Sequence, residues 1–117
     1  MNINSSSPNP LPSIHAIRAR NDRFRSWLTS GALMLTPAVL ALGTGNLARI
    51  LDAVRDFDDF DDADPTDAHD IGDLEVDLHE PGIAQCRELI FFRIRDLALP
   101  GTGTPSLMLI VMLASEW

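Results

Sequence analysis

Asp58, Asp59, Asp61, Asp62 and Asp64 crowd five carboxylates into seven positions. Carboxylates at that density ligate a hard cation, exchange protons, or present negative potential to a basic partner. Each use makes its own demand on the neighbours. A calcium loop of the EF-hand type needs Gly at its sixth position and a bidentate Glu at its twelfth. Counting from Asp59 puts Asp64 and Asp70 there, and counting from Asp62 puts Asp67 and Asp73 there. Neither register works, so no dedicated metal site and no cofactor are expected.

His69 and Asp70, with Asp64 and Asp67 nearby, are the candidates for acid–base or metal chemistry. The three histidines, His15, His69 and His79, have no H-x-x-x-H or H-E-x-x-H spacing. The competing role for His69 and Asp70 is structural: closing the loop and starting the strand after it. Cys86 is the single cysteine, so no internal disulfide is possible and a reducing cytoplasm is expected. It has no adjacent base and falls in an expected connection, so it reads as an incidental thiol. "GTGNLA", 43–48, matches G-x-G-x-x-A. Pro37 breaks the preceding strand and no parallel βαβ unit follows, so the match reads as a helix-opening turn rather than a dinucleotide site. "GTGTPS", 101–106, reads as a turn. No catalytic residues are expected.

The third use of the carboxylates remains. From Asp56 to Asp77 the chain carries eleven acids in 22 positions and no Arg or Lys. The whole chain has formal net charge −8. An acidic chain repels nucleic acid and anionic membrane, so the natural complement is a basic protein surface. The acids are one-signed and interleaved with Phe57, Phe60 and Ile71. Ordered carboxylates around apolar anchors can stand in for phosphates on a protein that grips nucleic acid. The leading expectation is therefore a non-enzymatic acidic binding protein, with Asp58, Asp59, Asp61, Asp62 and Asp64 at its contact surface. Two alternatives stand beside it. One is a small metal-dependent or acid–base hydrolase using His69 and Asp70. The other is a structural or dimerising domain whose charge serves solubility only.

The elements that must position these residues follow from patterning. Residues 1–12, rich in Ser, Asn and Pro, read as a disordered tail. The N-terminus has neither a basic n-region nor an apolar run, and the longest apolar run, Leu107 to Ala114, is too short for a bilayer. A soluble cytoplasmic protein with no membrane contact is expected. Residues 13–117 form a single domain. Ser13 caps a helix expected to reach about Ser30, with Ile14, Ile17, Asn21, Phe24 and Leu28 on one stripe. Arg18, Arg20, Arg23 and Arg25 lie on its other faces and make a rival contact surface. Gly31 is expected to stop this helix. Asn21 on the apolar stripe must find partners, and a tie to a neighbouring loop would supply them.

Ala32–Thr36 reads as a short edge strand, and "PAVLAL" as a helical turn or extended chain. Thr44 or Asn46 caps a second helix over about 46–57, with Leu47, Ile50, Leu51, Val54 and Phe57 as its apolar face and Phe60 as a possible extension. Asp61–Asp70 is a loop. Ile71–Leu78 alternates as a half-buried strand, and Glu88–Leu97 is the next. Leu107–Ala114 suits a central strand covered on both faces. The expected architecture is a two-layer α+β domain: two amphipathic helices on a small antiparallel sheet, made of a three-strand C-terminal meander and a short edge strand.

"IRARNDRFR", "LMLTPAVLAL", "ILDAVRDFDDF", "DP" followed by "HDIGDLEVD", and "LMLIVMLASEW" occur in this order. In these pieces the chain resembles the bacterial family DUF3768, a domain of unknown function. It departs in the longer connection "LHEPGIAQCRE" and in the strand "FFRIRDLAL", where Phe92, Arg93 and Ile94 alter the polar pattern. The resemblance implies a bacterial protein, often from a plasmid-like or mobile neighbourhood. It supplies no activity. In such a setting, an acidic protein that engages a nucleic-acid-handling machine would be an inhibitor of host defence, of anti-CRISPR or anti-restriction type.

Overall fold

The computed structural model describes residues 13–28, 31–79, 86–97 and 106–117. The expected tail at 1–12, the last residues of the first helix at 29–30, and most of the two late connections lie outside those residues. In chain order the elements are α1 (Ile14–Trp27), β1 (Gly31–Leu35), α2 (Pro37–Leu40), α3 (Thr44–Arg55), β2 (Ile71–Leu78), β3 (Cys86–Asp96) and β4 (Leu107–Leu113), then a 3₁₀ turn over Ala114–Glu116. The α+β class expected from patterning is the one observed.

The four strands form one sheet in the order β1-β4-β3-β2. β2, β3 and β4 pair antiparallel, as the meander requires. β1 is an edge strand, and it runs parallel to β4, so the sheet is mixed rather than antiparallel throughout. The reason is the connection: β1 and β4 lie at opposite ends of the chain, and the intervening helices return the chain to the far edge. The core lies on one face. Val76 and Leu78 of β2, Ile90, Phe92 and Ile94 of β3, and Leu107, Leu109 and Val111 of β4 bury against Phe24, Val39, Ile50 and Val54. The period-two alternation of these strands places their other residues on a face over which no helix of the described residues lies. β4 is interior, but helices cover it on one face only, because its alternate residues Met108, Ile110 and Met112 stay half exposed.

Several boundaries differ from expectation for identifiable reasons. Ser13 caps α1, accepting from the Ala16 amide at 3.1 Å. α1 ends when Leu28 turns left-handed at φ 51°, and Gly31 opens β1 instead of stopping the helix. Thr36 caps the short helix α2, with Pro37 at its first position. α3 begins two residues early, after Gly43, whose φ of 93° is left-handed. Asn46 is therefore no cap; it lies inside the helix, buried, on the stripe of Ile50 and Val54. Its side chain donates to the Leu42 and His79 carbonyls (2.7 and 2.9 Å) and accepts from the His79 amide (2.8 Å), tying the end of β2 to α3. β1 pairs with β4 and not with β2, so "GTGNLA" belongs to no parallel βαβ unit and is the helix-opening turn expected. α3 stops at Arg55, and Phe57 and Phe60 pack from the following loop. Cys86 is exposed and opens β3, so it lies in a strand and not in a connection.

Candidate functional site: an ordered acidic loop

The acidic segment leaves α3 at Asp56 and reaches β2 at Ile71. It has no regular secondary structure, yet nearly every turn of it is held. The holders sit on α1, on a stripe spaced i, i+3, i+4, i+7: Arg18, Asn21, Asp22 and Arg25. Arg18 is 7% exposed and donates to the backbone carbonyls of Asp67 and Asp64, both at 2.7 Å. Asn21 is 2% exposed and donates to the Ala68 carbonyl at 2.9 Å. Arg25 is 5% exposed and donates to the Phe57 carbonyl at 2.9 Å and to Asp22 at 3.2 Å. Three buried side chains thus satisfy four loop carbonyls that have left helix and sheet behind. The expected tie from Asn21 to a loop is present. The expected basic face is not, because Arg18 and Arg25 point inward. Of the four arginines, Arg23 is exposed and Arg20 is half-buried, paired with Asp96 at 3.0 Å.

Aromatic rings make the floor. Phe57 packs edge-on to Phe60 and Phe92, with centroids 4.9 and 5.2 Å apart. The Arg25 guanidinium lies 5.0 Å from the Phe60 centroid and 5.8 Å from that of Phe92. Its Nε has no hydrogen-bond partner among the described residues, and the guanidinium lies against the two ring faces instead. Gly72, at the start of β2, is required by the same cluster: a methyl group there would overlap the Phe92 and Phe57 rings.

His69 is the pivot. It is buried, takes a left-handed backbone at φ 57°, and stacks on Phe60 with centroids 4.1 Å apart. Nδ1 faces Asp22 of α1 at 2.9 Å, and Nε2 faces Asp62 of the loop. A ring with a carboxylate on each nitrogen donates to both only as imidazolium. Burial, the largest single influence, works against that charge. The hydrogen bonds the ring donates to Asp62 and Asp22, with the charges of those carboxylates, outweigh it and raise the His69 pKa above its ordinary 6.5. Asp62 is correspondingly lowered, chiefly by its bond to His69. Asp70 is not among the groups bonded to the ring; its backbone carbonyl accepts from the Ile94 amide at 2.7 Å, joining loop to sheet.

The five candidate aspartates divide into two sets. Asp61, Asp62 and Asp64 take part in holding the loop. Asp61 accepts from the Ala63 amide at 3.1 Å. Asp64 accepts from both the amide and the hydroxyl of Thr66, which lowers its pKa, the hydroxyl contributing most. Asp58 and Asp59 are exposed, with no side-chain partner among the described residues. Sequence reasoning missed Asp22 as a partner of His69; it placed Asp67 near His69 as a candidate for acid–base or metal chemistry, whereas the Asp67 carboxylate accepts from the Asp61 and His69 amides at 2.8 and 3.0 Å. The helical spacing that singled out Asn21 runs on to Arg18 and Arg25, and that signal was available. No group of three or more His, Cys, Asp or Glu among the described residues is arranged to hold a metal ion.

A family model described as "Protein of unknown function (DUF3768)" matches residues 35–94, more than half of the chain and the whole of the acidic loop. No curated protein and no solved structure matches.

Proposed function

Because the chain belongs to the DUF3768 family, whose description carries no activity, its function must be read from its own site, and we propose a non-enzymatic binding module whose acidic loop engages a basic protein surface. The observation that carries this reading is the division of labour in the loop. Buried Arg18, Asn21 and Arg25 fix its backbone, while the Asp58 and Asp59 carboxylates stand outside with no partner among the described residues. Charge presented on a fixed frame loses little conformational freedom on binding. It also steers association and disfavours partners of the wrong sign. A nucleic-acid-handling machine offers such a basic surface. The sharper form of the proposal is an inhibitor of a defence system of that kind, anti-CRISPR or anti-restriction, acting in the cytoplasm. Among the described residues, no helix is long and apolar enough to cross a membrane.

A hydrolase built on His69 and Asp70 has less support. A general base needs a ring nitrogen free to take a proton, and both nitrogens of His69 already face carboxylates.

The test is capture from the native host on two immobilised baits, the unaltered chain and Asp58→Asn/Asp59→Asn. Recovery of a basic protein on the first, eluted by salt and strongly reduced on the second, supports the proposal. Equal recovery on both baits refutes it.

A further inference from the structure

We propose that the uncovered face of the sheet, centred on Arg93 and Arg95, is a docking surface for an extended acidic segment of a partner protein. Strand register places Met34, Ile110, Arg93 and Ile71 in one row across all four strands. Met108 and Arg95 share the next row, and Met112, Phe91 and Asp73 the row on the other side. Met34, Ile71 and Leu89 are 50%, 47% and 39% exposed, and Trp117 is 58% exposed with its ring edge-on to Phe91 at 5.2 Å. Several large apolar side chains exposed together on one face are the kind of surface that interaction sites use.

The charges on this ground say what covers it. Arg93 and Arg95 lie about 7 Å apart on one side of β3. Both are exposed, and neither has a carboxylate within ion-pair distance among the described residues. Asp73 lies diagonal to Arg93 across the β2–β3 pair and makes no ion pair with it, and three other nearby acids are engaged elsewhere. Glu75 and Asp77 pair with Arg87 (3.3 and 2.9 Å), and Glu116 accepts from the Thr36 hydroxyl and the Leu113 amide (2.8 and 2.9 Å). The two guanidiniums border a depression of about 240 Å³ walled by Ile110, Met112, Trp117 and Glu116, whose carboxylate is the one already bonded to Thr36 and the Leu113 amide. An occupant must therefore bring negative charge and apolar contact together.

Two other occupants fit less well. A second copy packed face to face about a two-fold axis through these rows would set Arg93 and Arg95 against their own symmetry mates, gathering four guanidiniums without carboxylates. A phosphate backbone brings a charge at every nucleotide but no aliphatic side chain for the ground of Met34, Ile110 and Met112 around the two arginines. A protein strand carrying one or two carboxylates between apolar side chains meets both demands. Its alternate residues would match the pleat of the face.

The test uses the whole chain and a labelled peptide with the core Leu-Glu-Leu-Glu-Leu, its Leu-Gln-Leu-Gln-Leu counterpart, and an oligothymidylate. Fluorescence anisotropy gives affinity, and sedimentation gives the oligomeric state. The Glu peptide is expected to bind about tenfold or more tightly than the Gln peptide, one such factor being a single charge-assisted contact. Arg93→Gln/Arg95→Gln should remove that preference at an unchanged melting temperature. Asp58→Asn/Asp59→Asn should retain it, which separates this surface from the acidic loop. Any of four results overturns the proposal: no binding of the Glu peptide, equal binding of both peptides, tighter binding of the oligonucleotide, or dimerisation abolished by Arg93→Glu.

Discussion

Two regions of this molecule use arginine in opposite senses. Under the acidic loop, Arg18 and Arg25 are buried and donate to backbone carbonyls. On the uncovered sheet face, Arg93 and Arg95 are exposed on an apolar ground. The loop is acidic outside because its cations are inside, fixing its backbone. The sheet face is basic at its centre, where Arg93 and Arg95 stand, while Arg87 of β3 pairs with Glu75 and Asp77 of β2. Net charge describes neither region. What decides the role of each arginine is whether unpaired carbonyls lie within its reach.

The sharpest way to break this contrast is at the inward arginines. Arg18→Met leaves the Asp67 carbonyl without its donor and the Asp64 carbonyl with only the Asp67 amide, and Arg25→Met removes the donor to Phe57. Each is expected to cost about 2–4 kcal/mol of unfolding free energy in urea. Arg93→Gln and Arg95→Gln should stay within about 0.5 kcal/mol of the parent. Equal losses at the two sites would end the distinction. Next in size is Gly72→Ala, where the loop's aromatic floor meets the sheet. Overpacking there is expected to cost about 1–3 kcal/mol, read from the same denaturation curves.

A smaller effect, about 1–2 kcal/mol, is expected for His69→Gln, which loses the charged bridge and the stack on Phe60. Its pH dependence has a definite sign. The folded pKa of His69 is raised, so its contribution is complete below about 6.5 and is lost as pH rises through the folded value. The folded pKa of Asp62 is lowered, so its contribution is present above the ordinary carboxylate value and is lost as pH falls through the folded value. The stability difference between parent and variant should therefore be greatest at mildly acidic pH and shrink on either side. A difference that grows steadily toward alkaline pH would contradict the bridge. Smallest of all, Asp58→Asn and Asp59→Asn should leave stability within about 0.5 kcal/mol.

The strands were the most legible part of the fold. The limits of β2 follow from strict alternation between Leu74, Val76 and Leu78 and the acids between them. α3 was legible in its apolar face but not in its first turn, because Gly43 rather than a polar side chain precedes it. The direction of β1 was not legible at all, since pairing with β4 is a long-range choice that a five-residue run does not encode. The site was half legible. The acids and the buried Asn21 declare themselves by type and spacing. The inward turn of Arg18 and Arg25 does not, because a charged residue on a helix is ordinarily solvated and only the loop's arrival supplies carbonyls to bury it. The partition of the aspartates into loop-holding and free depends on contacts that only the folded loop creates.

The central claim is that the loop's free carboxylates, on a frame fixed from beneath, make the contact with a basic partner. The most direct measurement is the association rate with the captured partner as salt is raised, for the parent, Asp58→Asn/Asp59→Asn, and Arg20→Glu/Arg23→Glu. Exposed charges act across a Debye length of about 8 Å at physiological ionic strength. The account predicts a rate that falls steeply with salt in the parent. The Asn variant should associate more slowly with a shallower salt dependence, and the Glu variant should associate at least as fast as the parent. An Asn variant indistinguishable from the parent, beside a Glu variant that no longer binds, would contradict it and leave the acidic loop a solvated face.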